Sequence, residues 1–235
     1  MSDLNFYAKQ LGIELDSNKL SQFDTFAEML ISANKQFNLT AVTDREAIDL
    51  RHFADSMSVL TVEPIVQGAS LIDVGCGAGF PSLPIKIARP DIDVTFLDST
   101  AKKLGFIDNV CDSLSLENAR TVCARAEELC HKGGCRESFD VVTARGVANL
   151  AALSEVCLPL CKVGGVFLAL KGQGAESEIS LSEKILARCG GKFERIHTVS
   201  VGGLECRVVV IRKIAPTPPS YPRRWAQIVK ETKNV

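Results

Sequence analysis

The sequence predicts an α/β fold: a mostly parallel sheet with helices on both faces, preceded by a block of helices and closed by an antiparallel hairpin. Three observations carry this. From about residue 69 onward, short apolar runs alternate with stretches of helical period, the pattern of parallel strands joined by right-handed crossovers. The last two apolar runs are linked only by Gly202-Gly203, too short for a parallel crossover, so they must pair antiparallel. The first sixty residues carry helical periodicity and no strand pattern.

In chain order, Leu20, Phe23, Phe26, Ala27, Leu30, Ile31 and Phe37 recur at steps of three and four and predict one amphipathic helix, with Asp16-Ser17-Asn18 as its cap. A second helix is expected over roughly 44–60, through Ile48, Leu50, Phe53, Met57 and Leu60. The strand runs are Leu71–Val74, Val94–Asp98, Ala119–Cys123, Phe139–Thr143, Val163–Leu170, Phe193–Val201 and Arg207–Arg212. Helices are expected over Pro81–Arg89, through Leu104, Ile107 and Val110, and over Glu176–Arg188. Pro216, Pro218, Pro219 and Pro222 forbid regular structure over 214–223. From Lys213 the chain is basic, with Arg223, Arg224, Lys230 and Lys233 against Glu231, and Tyr221 and Trp225 interleaved.

We read the 235 residues, 46% of them hydrophobic, as a single domain: a helical extension (1–60), an α/β core (69–213) and a proline-rich basic tail (214–235). A formal net charge of −1 excludes whole-molecule attraction to nucleic acid, so any polyanion site must be a local cluster. Neither a signal peptide nor a membrane-length apolar run is visible, so a cytoplasmic monomer is expected. The nine cysteines contain no C-x-x-C pair; Cys123 is read in a strand, and Cys157 and Cys161 on a helix. Cys130, His131 and Cys135 lack zinc-finger spacing, and no metal is expected.

The chemistry concentrates at strand ends. The first strand runs into Asp73-Val74-Gly75-Cys76-Gly77-Ala78-Gly79-Phe80. Its G-x-G-x-G spacing departs from the G-x-G-x-x-G that seats a pyrophosphate on a helix N-terminus. S-adenosylmethionine has no phosphate, and an acid just ahead of the turn suits its amino-acid moiety. The second strand ends in Asp98, where a carboxylate accepts ribose hydroxyls; a helix cap is the alternative use of that aspartate. After the third strand, Glu127 and Glu128 in Arg125-Ala126-Glu127-Glu128 offer an acid to read an adenine amino group, or acids that complement a helix dipole. Arg145 and Lys171 end the fourth and fifth strands and suit a phosphate- or guanine-bearing substrate. No Asn/Asp-Pro-Pro-aromatic box or Pro-Cys pair is present. His52 and Asp55, three apart, are expected to share a helix face and hydrogen-bond to one another.

With these residues in place, the chain resembles the RsmG (GidB) family of bacterial rRNA methyltransferases over nearly its whole length. The matching segments are Phe37-Asn38-Leu39-Thr40-Ala41, Arg51-His52-Phe53-Ala54-Asp55-Ser56, the Ile72–Pro81 turn, Leu97-Asp98-Ser99 with Lys102-Lys103, Ala144-Arg145-Gly146, Leu168–Gly172 and Tyr221-Pro222-Arg223-Arg224. The resemblance implies a class I methyltransferase (Rossmann-like) sheet and S-adenosyl-L-methionine as cofactor. It implies methylation of a guanine N7 in 16S rRNA near the decoding centre, with the rRNA or the small ribosomal subunit as partner. It implies cofactor contacts from Gly75, Phe80, Ala126, Glu127 and Arg145, beside Asp73, Gly77, Gly79 and Asp98 read from the turn and strand ends. Arg125, Arg145 and Lys171 would hold the RNA. Trp225-Ala226-Gln227-Ile228-Val229 departs from the family's tail. The rival readings are a methyltransferase for another RNA, a protein or a small molecule, and a non-catalytic ribosome-assembly or nucleotide-sensing protein. A nicotinamide oxidoreductase is disfavoured by the glycine spacing.

Overall fold

The structure, a computed structural model, describes residues 3–132 and 134–232. Seven strands form one sheet in the order β3-β2-β1-β4-β5-β7-β6: β1 (Ser70–Val74), β2 (Asp93–Asp98), β3 (Ala119–Cys123), β4 (Phe139–Arg145), β5 (Cys161–Lys171), β6 (Gly191–Val201) and β7 (Leu204–Lys213). The first five pair in parallel, and β7 runs antiparallel between β5 and β6. Gly202 and Gly203 turn the hairpin with φ of 56° and 77°, the left-handed pair that two-residue hairpin turns require. Strand order reverses between β1 and β4, which opens a crevice at their carboxyl ends.

Strand residues alternate between two cores. Leu71, Phe96, Val141, Leu168 and Val210 face one, and Ile72, Leu97, Val142, Phe167 and Val209 face the other. The first core is covered by α1 (Leu4–Gln10), α2 (Ser17–Phe37), the segment beginning with α3 (Arg45–Ile48), α5 (Ser82–Ala88) and α6 (Ala101–Ser113). Helix α2 follows the sequence pattern: Phe23, Phe26, Ala27 and Leu30 are buried. The Asp16 carboxylate accepts from the Lys19 N–H at 2.8 Å at its start, and a left-handed Asn38 ends it. Helix α3 continues as a π-helix over Asp49–Ala54 and then as the short α4 (Asp55–Met57), a distortion that periodicity does not reveal. Phe26 packs on Phe53, Phe80 and Phe106, with ring centroids 5.3, 5.5 and 6.4 Å apart. This cluster joins the N-terminal helices to the first turn after β1, each ring contributing about 1.5–3 kcal/mol by burial.

The second core lies under α7 (Ala126–Lys132), α8 (Leu150–Cys157), α9 (Ala175–Arg188) and α10 (Trp225–Thr232). Cys161 opens β5 rather than continuing α8, because Pro159 cannot extend a helix. Residues 214–224 contain neither helix nor strand, as the prolines dictate, but the tail then forms α10, which its composition did not predict.

The tail is also tied down, and two of its basic residues, Lys213 and Arg223, are neutralised by internal ion pairs. Arg136 donates to the carbonyls of Thr217, Pro218 and Tyr221, and His131 Nε2 donates to that of Pro222 at 2.8 Å. Lys213 is fully buried, bonded to the carbonyls of Leu158 and Cys189 and to Thr217, with Glu137 at 3.1 Å. Arg223 grips the buried Glu155 through its backbone N–H, Nε and a terminal nitrogen. Of the tail's basic residues, Arg224 and Lys230 are exposed; Lys233 lies outside the described residues. No helix among the described residues is long and apolar enough to cross a membrane.

Candidate active site

A cavity of about 270 Å³ opens at the carboxyl ends of β1 to β4, where the strand order reverses. Of the residues singled out in the sequence, Gly75, Asp98, Arg125, Ala126 and Glu127 line it. Val147, Val156 and Trp225 also line it, and nothing in the sequence places them there: Trp225 reads as an aromatic interleaved with the basic tail and as a departure from the family's pattern.

The turn after β1 needs its glycines. Gly75, Gly77 and Gly79 have φ of 73°, 58° and 95°. A Cβ on Gly75 would lie 2.5 Å from Val147 Cγ2, and one on Gly79 would run into the Leu83 side chain. The Gly77 N–H donates to Asp98 Oδ2 at 3.1 Å, and the Thr100 N–H donates to Asp98 Oδ1 at 2.9 Å. Asp98 therefore ties two turns together. Each of its oxygens keeps a second lone pair for another donor.

Asp73 sits behind the turn, fully buried. Its Oδ2 accepts from the Ser82 N–H at 3.2 Å, and its Oδ1 has no partner among the described residues. Burial pushes this carboxyl up to about 7, against the pull of the Ser82 hydrogen bonds and the Arg145 charge. An unpartnered buried carboxylate oxygen is costly and calls for a cationic or hydrogen-bonding ligand.

Arg145, at the end of β4, bonds Asp55 Oδ2 at 2.9 Å, and its guanidinium lies 4.9 Å from the centre of the Phe80 ring. The expected His52–Asp55 hydrogen bond is not made. The wider π turn through Asp49–Ala54 rotates each residue less than an α turn, so a three-residue step no longer returns to one face. His52 instead packs on Phe80, centroids 4.5 Å apart, and meets the Thr40 hydroxyl at 2.7 Å through Nε2. Its Nδ1 faces the Arg51 carbonyl at 3.1 Å, so Nδ1 carries the proton and Nε2 accepts from Thr40. Burial and then the Arg145 charge lower His52 to about 4, leaving a neutral ring at pH 7.

Arg145 pairs in register with Leu170, so Lys171, the next residue of β5, leaves the opposite face of the sheet and is engaged internally. Its ammonium bonds the Ala148 carbonyl and Glu178, both at 2.7 Å, and so braces the loop that carries Val147. Arg125 is exposed at the cavity rim. The Phe26–Phe53–Phe80 stack and the Asp55–Arg145 pair had no local signal, because each joins residues far apart in sequence.

Fold and site define a class I methyltransferase architecture with a nucleoside-sized cleft at its sheet edge. The same fold occurs in a SAM-dependent methyltransferase from Aquifex aeolicus, with a TM-score of 0.52 at 19% identity over 78% of this chain and 98% of that one. The GidB family model, described as rRNA small subunit methyltransferase G, matches residues 19–208. The ribosomal RNA small subunit methyltransferase G of Clostridium novyi is 40% identical over 97% of this chain and 95% of its own. That of Lactobacillus delbrueckii subsp. bulgaricus is 46% identical over 86% and 87%. The chain belongs to this family.

Proposed function

We propose that this chain transfers a methyl group from S-adenosylmethionine to N7 of a guanine in 16S rRNA, in a loop near the decoding centre. It acts as a cytoplasmic monomer on the small ribosomal subunit or its rRNA, with 1–60, 69–213 and 214–235 working as one unit. The observation that carries this reading is the family match over residues 19–208, whose turn and strand ends build the cavity.

The residues fit the cofactor. Asp73 offers an unpartnered buried oxygen to an ammonium group, Asp98 and Glu127 place carboxylates at the cleft wall, and Gly75 lines the cleft without a side chain to fill it. Asp73 would hold the amino-acid end with Gly77, Gly79 and Phe80 shaping the turn, Asp98 the ribose, and Ala126 and Glu127 the adenine. When bound, S-adenosylmethionine supplies an electrophilic methyl group on a sulfonium.

Guanine N7 carries an in-plane lone pair and no proton to lose, so the site needs no general base. Catalysis is then mainly positioning, worth up to roughly 7–11 kcal/mol in well-oriented systems. Methylation leaves positive charge on the base, so a bare cation against N7 would oppose it. Arg145 therefore orients O6 or a phosphate while Asp55 offsets its charge. Arg125, exposed at the rim, meets the RNA backbone, and Lys171 contributes by holding the loop above the cleft.

The test is transfer of radiolabelled methyl to 30S subunits and to deproteinised 16S rRNA from cells lacking this protein. Label in either substrate is expected, and the comparison shows whether ribosomal proteins are required. Absence of label in both, with cofactor still bound, would favour another methyl acceptor or the non-catalytic reading.

A further inference from the structure

The cleft is assembled from unequal parts. The end of β2 and the first turn of α6 supply its polar wall through Asp98, Ser99 and Lys103, while Ala124, Val156 and Trp225 supply apolar surface. Trp225 is the single aromatic side chain among the lining residues, and it comes from α10, after the sheet is complete. A purine is a flat, polarisable ring, and stacking on an aromatic side chain is a sequence-tolerant contact for it.

The backbone around Trp225 is fixed for such a role. Two residues earlier, Arg223 clamps Glu155 of α8, with Nε–Oε1 at 2.8 Å and a terminal nitrogen to Oε2 at 2.7 Å. Arg223 also bonds Glu231, nearer the end of α10, at 2.6 Å. Ile228 is fully buried beneath α10, and the Asn149 side chain donates to the Thr232 carbonyl at 2.9 Å. These contacts hold the helix against α8 and set the indole, itself packed on the second core, at the cleft. Basic and aromatic composition alone would assign this tail to RNA; its ion pairs and the place of its tryptophan point inward.

We propose that Trp225 stacks on the purine ring of the nucleoside bound in this cleft, making the C-terminal helix part of the cofactor site. The proposal rests on the cofactor reading above and assigns the adenine a wall that the sheet does not supply. It makes Trp225 a binding residue shared by the methylated cofactor and its demethylated product, since both carry the same purine.

The test uses the full chain with S-adenosylhomocysteine as probe, by calorimetry and by intrinsic fluorescence. Trp225 is the sole tryptophan, so its emission reports this site alone. Saturation is expected to change the emission of the wild type. Trp225→Ala is expected to weaken binding on the order of tenfold to a hundredfold, and Trp225→Phe to recover most of that loss. In turnover, the KM for the cofactor rises by more than kcat falls. Unchanged emission at calorimetric saturation, or a folded Trp225→Ala chain that binds as the wild type does, would overturn the proposal. If Trp225→Ala fails to fold, the wild-type emission and the Trp225→Phe affinity decide it. No binding by the wild type would sink the cofactor reading itself, and the stacking with it.

Discussion

At the scale of single residues, burial sets the charge of two groups near the site, Asp73 and His52. Asp73 is raised to about 7 and His52 lowered to about 4, and the two act oppositely on stability. Between about pH 4 and 7 the folded chain holds a proton on Asp73 that the unfolded chain has released. That contribution is complete at low pH and lost as the pH rises through 7. His52 binds fewer protons folded than unfolded between about pH 4 and 6.5, so its contribution grows with pH over that range. Asp73→Asn removes the first slope and leaves the second. The stability of the wild type relative to the variant should therefore fall by about 3–4 kcal/mol from pH 4 to 7, measured by urea melts at a series of pH values. Equal slopes would mean that Asp73 is ionised in the free protein. The same variant should bind cofactor roughly tenfold or more weakly, the worth of a charged hydrogen bond.

Arg145 gives a second prediction at this scale. Arg145→Ala removes the group proposed to orient the base and frees Asp55 of its partner, so the single-turnover rate at saturating RNA and cofactor should fall on the order of a hundredfold. An undiminished rate would mean that Arg145 holds the fold and not the substrate. The His52–Asp55 pair expected from spacing shows why such details resist reading. Residue spacing assumes an α turn, and nothing in Asp49-Leu50-Arg51-His52-Phe53-Ala54 announces a π turn. The partners actually chosen, Thr40 for His52 and Arg145 for Asp55, follow from how distant segments meet.

At the scale of elements, the strands and the hairpin were legible because apolar runs, glycine pairs and crossover lengths are local properties. Helix α10 was not. Its residues follow a proline-rich stretch, and its stability comes from Ile228, Glu155 and Asn149, which only the folded chain brings to it. Cys161, expected on a helix, opens β5 because Pro159 stops the helix before it. The Arg223–Glu155 pair is the element's anchor, and removing one partner of a buried pair leaves an uncompensated charge. Arg223→Ala should lower the unfolding free energy by about 3 kcal/mol, read from denaturant midpoints. A loss below about 0.5 kcal/mol would show that the tail is held by apolar packing alone.

At the scale of the whole molecule, a chain of formal charge −1 has to meet a polyanion through a local face. The exposed Arg51 and Arg125 and the half-buried Arg145 occupy the carboxyl edge of the sheet region, while Lys213 and Arg223 of the tail are bound up in internal pairs. The glycine turn, Asp98 and the strand-end cations pointed to this edge from the sequence. The cleft's outer wall did not, because Val147, Val156 and Trp225 carry no motif and become a wall only when α8, α10 and the loop after β4 close over the turn. The identity of the methylated nucleoside decides the proposed reaction. The chain would be incubated with S-adenosylmethionine and 30S subunits from cells lacking it, and the rRNA digested and resolved by mass spectrometry. N7-methylguanosine at one position of 16S rRNA is expected; methyl on another atom or another nucleoside would overturn the proposed function.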